Sequence, residues 1–363
     1  MAGRPSTKLA SSYIVFDIYV FNNELIHYVK KPERYKMKKT INIPVDGPGS
    51  DLNFCLKFAR IGEFIIKKIF RCKLSRDMFD HVDFDNPGIW VANHSNGFWG
   101  ILDIFITCYF WYGVCQQKKT IAFMSDARVF SIPIIGKNAR RLGFKVSSIK
   151  AVQSCLEAGE WVIIPPGGNT DQLRSIWYRN QTRMYKLQYR NGEFVKKPQT
   201  WFIHAGAPLK VKAYPICVAG AHEVTPILWE SKSILRYSGL IRLRGEEYWP
   251  GFPLSINHFI NLYIFYLTGL MSSPIAWALF LFTNIYIDLF YSYPVIFSRI
   301  RIRCGEPVEL KYSGNDLSLK QRKQENLEIL RQLNNEANMC LQAMDKDRPI
   351  MGRIPSFQPS VDY

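Results

Sequence analysis

Short apolar runs alternate with segments of helical spacing between residues 88 and 225. Residues 88–92, 161–164 and 209–218 read as buried or half-buried strands, and residues 102–114 and 149–158 as helices. This alternation predicts an α/β domain, a sheet flanked by helices. Residues 52–70 place apolar positions at near-helical steps, with Lys57, Arg60, Lys67 and Lys68 between them and Arg71 and Lys73 just beyond. That amphipathic helix has two readings: packed on a core, or lying in a membrane interface. Beyond Asp316, the spacing of Leu327, Leu330, Ala337, Leu341 and Met344 predicts a long amphipathic helix.

A different pattern occupies residues 259–287, which include no Asp, Glu, Lys or Arg. The run exceeds the roughly 20 residues needed to span a bilayer, but Ser272-Ser273-Pro274 divides it near its centre. Each half is then about a dozen residues, which suits a re-entrant hairpin or a kinked helix. Arg299, Arg301 and Arg303 follow, as expected on a cytosolic flank, before a strand-like stretch ending near Leu310. The predicted organisation is a basic N-terminal segment (1–50), an interfacial helix (51–84), one α/β domain (85–345) with a membrane insertion at about 256–292, and a loose tail (346–363). In the N-terminal segment, residues 13–21 are apolar but short and interrupted by Asp17, so they read as a buried strand or helix segment and not as a secretory signal. Residues 30–50 read as a Lys-rich stretch ending in a turn-prone linker.

With 47% apolar residues in 363, the chain can build a sizeable core. Its formal charge of +17 asks for a polyanionic partner: nucleic acid, anionic membrane or nucleotide phosphates. No RNA-reading signature or zinc-finger spacing is present, and the long uncharged run argues against nucleic acid. The eight cysteines form no C-x-x-C pair, so neither a disulfide framework nor a metal site is predicted, and a reducing, cytosol-facing setting fits.

Two segments carry candidate chemistry. In the first, residues 91–103, His94 directly follows a strand, and Gly97 and Gly100 separate it from Asp103. A carboxylate on one ring nitrogen would orient the imidazole and stabilise the cation formed when it accepts a proton. One helix from 94 to 103 would put roughly 13 Å between the pair along its axis, so the pairing requires residues 95–100 to be a loop, with Asp103 in the first turn of the helix that follows. In the second segment, residues 161–174, a strand runs into Pro165-Pro166-Gly167-Gly168, a turn able to expose backbone amides to an oxyanion or phosphate, with Asp171 and Arg174 close behind.

The order of these motifs resembles the glycerolipid acyltransferase superfamily. The resemblance rests on Asn93-His94, the later Asp103, residues 130–136 (Phe-Ser-Ile-Pro-Ile-Ile-Gly) and the strand ending in Pro-Gly-Gly. Within the superfamily, the chain is most similar to the diacylglycerol acyltransferase type 2 and monoacylglycerol acyltransferase group and its transmembrane-protein-68-like relatives. His94-Ser95-Asn96-Gly97 stands where that group has His-Pro-His-Gly, and residues 167–173 (Gly-Gly-Asn-Thr-Asp-Gln-Leu) where it has Gly-Gly-x-x-Glu-x-Leu. Residues 192–196, 206–209, 214–216, 222–224 and 305–309 are similar to its later segments. Asn96 replaces a His, Asp171 replaces a Glu, and the His-to-Asp interval is longer than the superfamily's four-residue gap.

The resemblance implies an acyltransferase-type mixed sheet and a membrane-bound O-acyltransferase. The donor is acyl coenzyme A, a co-substrate, and the acceptor is a glycerolipid hydroxyl of the diacylglycerol or monoacylglycerol type. No cofactor and no metal are implied. His94 is the expected general base and Asp103 its partner. Gly97, Pro166, Gly167, Gly168, Asp171 and Arg174 are expected to bind substrate, with the Gly167 and Gly168 amides as oxyanion donors and Asp171 or Arg174 on the acceptor's head. Arg128, Lys137, Arg140 and Arg141 are candidates for the coenzyme A phosphates, or form a basic face on anionic lipid. The expected location is a membrane, the endoplasmic reticulum, with a cytosol-facing site. Two alternatives remain: a lysophospholipid or glycerol-phosphate acyltransferase, and a catalytically silent lipid-binding protein of the same fold.

Overall fold

The computed structural model describes residues 18–21, 24–29, 36–42, 50–72, 79–95, 101–131, 133–190, 193–233, 252–282, 284, 298–314, 316–346 and 348. Strands β1 (Ile18–Phe21), β2 (Glu24–Val29) and β3 (Lys36–Asn42) form an antiparallel meander. The 13–21 run is therefore strand where described, and residues 36–42 are a strand where the Lys-rich composition predicted an approach to a linker.

Helix α1 (Leu52–Phe64) opens on Asp51, whose side chain accepts from the Phe54 amide, and continues as a π-helical turn over Ile65–Ile69. Next come β4 (Ile89–Ala92), α2 (Ile101–Cys108) with a further π-helical turn over Tyr109–Val114, and β5 (Ile121–Ser125). Helices α3 (Arg128–Ser131) and α4 (Pro133–Arg141), strand β6 (Phe144–Val146), helix α5 (Ile149–Glu157) and strand β7 (Trp161–Ile164) follow. After the short α6 (Asn169–Gln172), β8 (Tyr185–Arg190) and β9 (Glu193–Pro198) make a hairpin absent from the sequence expectations. Helix α7 (Trp201–Gly206) then leads to β10 (Lys212–Ala219).

The main sheet runs β13-β10-β4-β7-β5-β6, where β13 (Arg301–Cys304) and the short β14 (Val308–Glu309) pair antiparallel with β10 and every other pairing is parallel. Because side chains alternate across a strand, the central strands feed two cores. Trp90, Trp161, Ile163, Tyr214 and Ile216 face α1 and α2, where Trp111 meets Trp90 edge-on at 4.9 Å. Ile89, Val91, Val162, Ile164 and Cys217 face α5, α7 and the 28-residue α10 at Leu319–Lys346, which contributes Leu330, Leu333 and Leu341. The predicted terminal helix is this α10, whose buried residues run from Asn326 to Asp345.

In chain order between β10 and β13 comes a separate ribbon of β11 (Ile227–Ser231) and β12 (Phe252–Ser255), also unforeseen in the sequence. It runs straight into α8 (Ile256–Leu267), which a turn at Gly269 (φ +70°) joins to α9 (Pro274–Phe282). Phe265 packs on Trp277 and Phe280 to hold the two together. At the base, His258 Nε2 donates to the Asn284 carbonyl (3.1 Å) and Asn261 to the Asn284 side chain (3.2 Å). Among the described residues, the divided apolar run is thus a helical hairpin of α8 and α9. No helix among the described residues is long and apolar enough to cross a membrane. Much of its surface is bare: Tyr263, Tyr266, Leu267, Ile275 and Leu279 are all exposed, Ile275 at 74%.

Candidate active site

Strands β10, β4 and β7 are neighbours, and the chain order reverses at β4, which has the later β7 on one side and β10 on the other. In open α/β sheets such a switch point leaves a crevice at the strands' carboxyl ends. His94 emerges from β4, the Pro-Pro-Gly-Gly turn from β7 and His222 from β10, all at those ends.

Asn93 controls the exit from β4. Its buried side chain donates to the Val218 carbonyl (3.1 Å) and accepts from the Val218 amide (2.7 Å), reproducing one rung of the β4–β10 ladder with a side chain. The rung ends the strand and fixes where His94 begins. His94 Nδ1 lies 2.8 Å from Asp103 Oδ2, and the other carboxylate oxygen of Asp103 accepts from the Ser95 amide at 2.9 Å. Asp103 is in the first turn of α2 and Ser95 is not helical; the rest of the expected loop, 96–100, lies outside the described residues. With Nδ1–H donating to a carboxylate, the neutral ring keeps Nε2 as its proton acceptor. The His94 side chain retains 19% of its exposure.

Behind it is a buried polar hub. Asp171 Oδ2 accepts from the His94 amide (2.7 Å), while Oδ1 takes the Arg183 amide (2.7 Å) and pairs with Arg174 Nη1 (2.5 Å). Arg174 also donates to the carbonyls of Asp171 (3.1 Å) and Tyr178 (3.2 Å). Asp171 is 1% exposed and Arg174 0%. This corrects the expectation that either meets an acceptor head group: the two are buried against one another, because a charge taken out of water is stabilised by a close counter-charge. His222 is buried beside them and hydrogen-bonded to the His94 main chain; burial first, then the nearby Arg174 and Arg183 charges and the neighbouring His94, hold its ring well below the ordinary imidazole range. It is neutral, and a support for His94 more than a second base.

The glycine turn also differs from expectation. The Gly168 amide donates to the Pro165 carbonyl (3.2 Å) within the turn and is not an open oxyanion donor in this structure. Pro166 and Gly167 are buried. A Cβ on Gly167 would lie 1.9 Å from the Arg183 carbonyl oxygen and 2.5 Å from Asp171 Cβ, so the glycine is required by close packing. Gly167→Ala is expected to cost about 3 kcal/mol by overpacking and to displace the Asp171 hub, read as a lower denaturation midpoint. Gly97 lies outside the described residues.

Of the basic candidates, Arg141 is committed elsewhere: its guanidinium pairs with Asp51 (2.9 Å) and lies 4.0 Å over the Phe54 ring, tying α4 to the start of α1. Arg140 stacks over Phe130 (5.3 Å), and Lys137 is exposed on the same helix. Arg128 opens α3, and its side chain is outside the described residues.

Residues that the sequence reading missed include Arg183 and Glu230, whose side chains pair at 2.8 Å. Neither belongs to a motif; the one local signal was an acidic residue beside Trp229 in a short apolar stretch.

No protein-family model matches the chain. It is similar to uncharacterised proteins of Mycobacterium tuberculosis (strain H37Rv), 24% identical over 222 residues, 60% of this chain and 55% of that protein, and of Mycobacterium leprae (strain TN), 26% identical over 223 residues, 60% and 54%. The chain spans about half the length of the curated relatives it matches. Among solved structures, the 1-acyl-sn-glycerophosphate acyltransferase PlsC from Thermotoga maritima aligns with 82% of this chain and 88% of its own, at 15% identity and a TM-score of 0.35, a superposition too loose to define a shared site.

Proposed function

We propose that the protein is an acyltransferase that moves a fatty acyl group from coenzyme A to a glycerolipid hydroxyl of the diacylglycerol or monoacylglycerol type. The observation that carries this reading is the His94–Asp103 contact, 2.8 Å at Nδ1, at the carboxyl end of the switch-point strand. The motif resemblance supplies the substrate class. In this mechanism, Nε2 takes the hydroxyl proton as the oxygen attacks the thioester carbonyl. The tetrahedral intermediate then collapses, the C–S bond breaks, and the imidazolium returns the proton to the departing thiolate, giving an ester and free coenzyme A. Side chains and the thioester suffice for these steps. Asp103 orients the ring and stabilises its cation; Asp171, Arg174 and the Gly167 turn fix the His94 main chain and do not touch substrate.

An acyl chain resists transfer to water by about 0.8 kcal/mol per methylene, so an enzyme of this kind gains by meeting its substrates in the bilayer. The exposed, uncharged hairpin supports a membrane location, and its arms are candidates to line the acyl path. A cytosol-facing site at the endoplasmic reticulum is the location that the resemblance implies.

The test is transfer from labelled acyl coenzyme A by membranes containing the full chain, with diacylglycerol, monoacylglycerol and lysophospholipids offered in parallel. Labelled product on a neutral acceptor is expected. Product only on a lysophospholipid moves the acceptor assignment, and no product on any acceptor leaves a silent lipid-binding protein. Asp103→Asn should keep the fold but leave Nδ1 facing an amide; kcat is expected to fall about 10²- to 10⁴-fold with a much smaller change in KM.

A further inference from the structure

Strand β11 meets two environments. Trp229, 53% exposed, sits 6.0 Å from Phe259 at the root of the hairpin. Glu230, the next residue, turns inward, where it accepts from the Ser175 amide and pairs with Arg183 Nη1. The Leu228 carbonyl accepts from both Ser175 Oγ and Trp177 Nε1, each at 3.0 Å, so the strand is fastened along its length to the segment that follows Arg174. Arg183 reaches the candidate site by its main chain: its amide donates to Asp171, and Asp171 receives the His94 amide. On the other side, β12 pairs with β11, and the Ile256 amide donates to the Pro226 carbonyl (3.1 Å), so α8 continues the ribbon without a free joint.

We infer that this ribbon couples contact between the hairpin and a lipid bilayer to the placement of His94, with Glu230 as the positioning residue at the junction. The inference deepens the acyl-transfer reading, on which only its effect on turnover rests. A bilayer is the occupant that the surface fits. The hairpin is uncharged, with exposed tyrosines Tyr263 and Tyr266 and the exposed Trp229 near its root, the residue types that favour a membrane–water boundary. The chain's net charge of +17 complements anionic head groups. The break at Ser272-Ser273-Pro274 returns the chain before α8, 12 residues long, could cross a bilayer, which suits dipping into one leaflet.

Coupling of this kind needs a bistable element that both sites bias. Here that element is the hub around Asp171: when Glu230 holds Arg183, both Asp171 oxygens are occupied and the His94 amide is fixed. Lipid contact at the hairpin is expected to steady the ribbon through α8 and so to tighten the Glu230–Arg183 pair.

The experiment uses the full chain with and without vesicles of phosphatidylcholine and phosphatidylserine, and follows hydrogen exchange at the His94 and Arg183 amides. Vesicles should cosediment with the protein and slow both amides about tenfold, a typical coupling between sites. Glu230→Gln should bind vesicles equally and lose the slowing; if that variant does not fold, Glu230→Asp, which keeps the charge and shortens the reach, is expected to do the same. The double variant Ile275→Asp, Leu279→Asp alters exposed positions only and should lose binding and slowing together. In the transfer assay with short-chain, water-soluble substrates, vesicles should raise kcat and leave KM unchanged for the wild type, but not for Glu230→Gln. The inference is overturned if vesicles do not bind, if the hairpin instead mediates self-association, if bound vesicles leave both amides unchanged, or if Glu230→Gln responds like the wild type. Slowing without any acyl transfer would reject the acyl-transfer reading and retain the coupling; transfer without slowing would do the reverse.

Discussion

His94→Ala should lower acyl transfer from coenzyme A about 10²- to 10⁴-fold, the contribution typical of a positioned general base. Thermal stability is expected to change little, because the ring is partly exposed and its one described hydrogen bond is the Nδ1 contact with Asp103, a carboxylate that keeps its bond to the Ser95 amide. The measurement is transfer by matched membranes, with folding checked by circular dichroism. Unchanged transfer by a folded His94→Ala protein would reject the base assignment outright. The prediction separates His94 from His222, whose buried ring is held neutral and bonded to the His94 main chain. Loss of His222 should act through the placement of its neighbour.

Asp171→Ala should be the most damaging change to the fold around the site. Three groups converge on this carboxylate: the His94 amide, the Arg183 amide and the Arg174 guanidinium. Removing it strands a fully buried arginine without its counter-charge, and breaking a buried pair from one side typically costs about 3–5 kcal/mol. A chemical denaturation midpoint reads the loss directly. Activity should fall with it, since the His94 amide loses the acceptor that fixes its position. Asp171→Asn keeps one acceptor oxygen and should retain more stability than alanine, although the net positive charge left in the hub still opposes folding. If Asp171 instead bound a lipid head group, its removal would raise KM with little change in stability.

Much of the site was legible before folding was considered, and for specific reasons. His94 and Asp103 stand out because a strand, two glycines and a helix start separate them, and simple helix geometry excluded a straight path between the two. The hairpin was legible from the absence of charge and from a proline at its centre. Roles for Asp171, Arg174 and Gly168 were misjudged for one reason: a polar residue near a glycine turn looks alike in sequence whether it points at a ligand or at another part of the protein. The Arg141 contact with Asp51 was not legible, since the two lie 90 residues apart and no local pattern links them.

The order of apolar runs along the chain was enough to determine an α/β sheet with helices on both faces, because burial on both sides of a parallel strand demands an unbroken apolar run and local periodicity reports it. Tertiary structure alone decided which strands are neighbours and therefore that β4, β7 and β10 deliver His94, the glycine turn and His222 to one edge of the sheet. It also decided that Glu230 and Arg183, far apart in the chain and in no motif, stand behind the same hub. Such partners are chosen by the cost of burying a charge unpaired, a quantity that depends on what surrounds each group in the folded state and is not written in its immediate sequence.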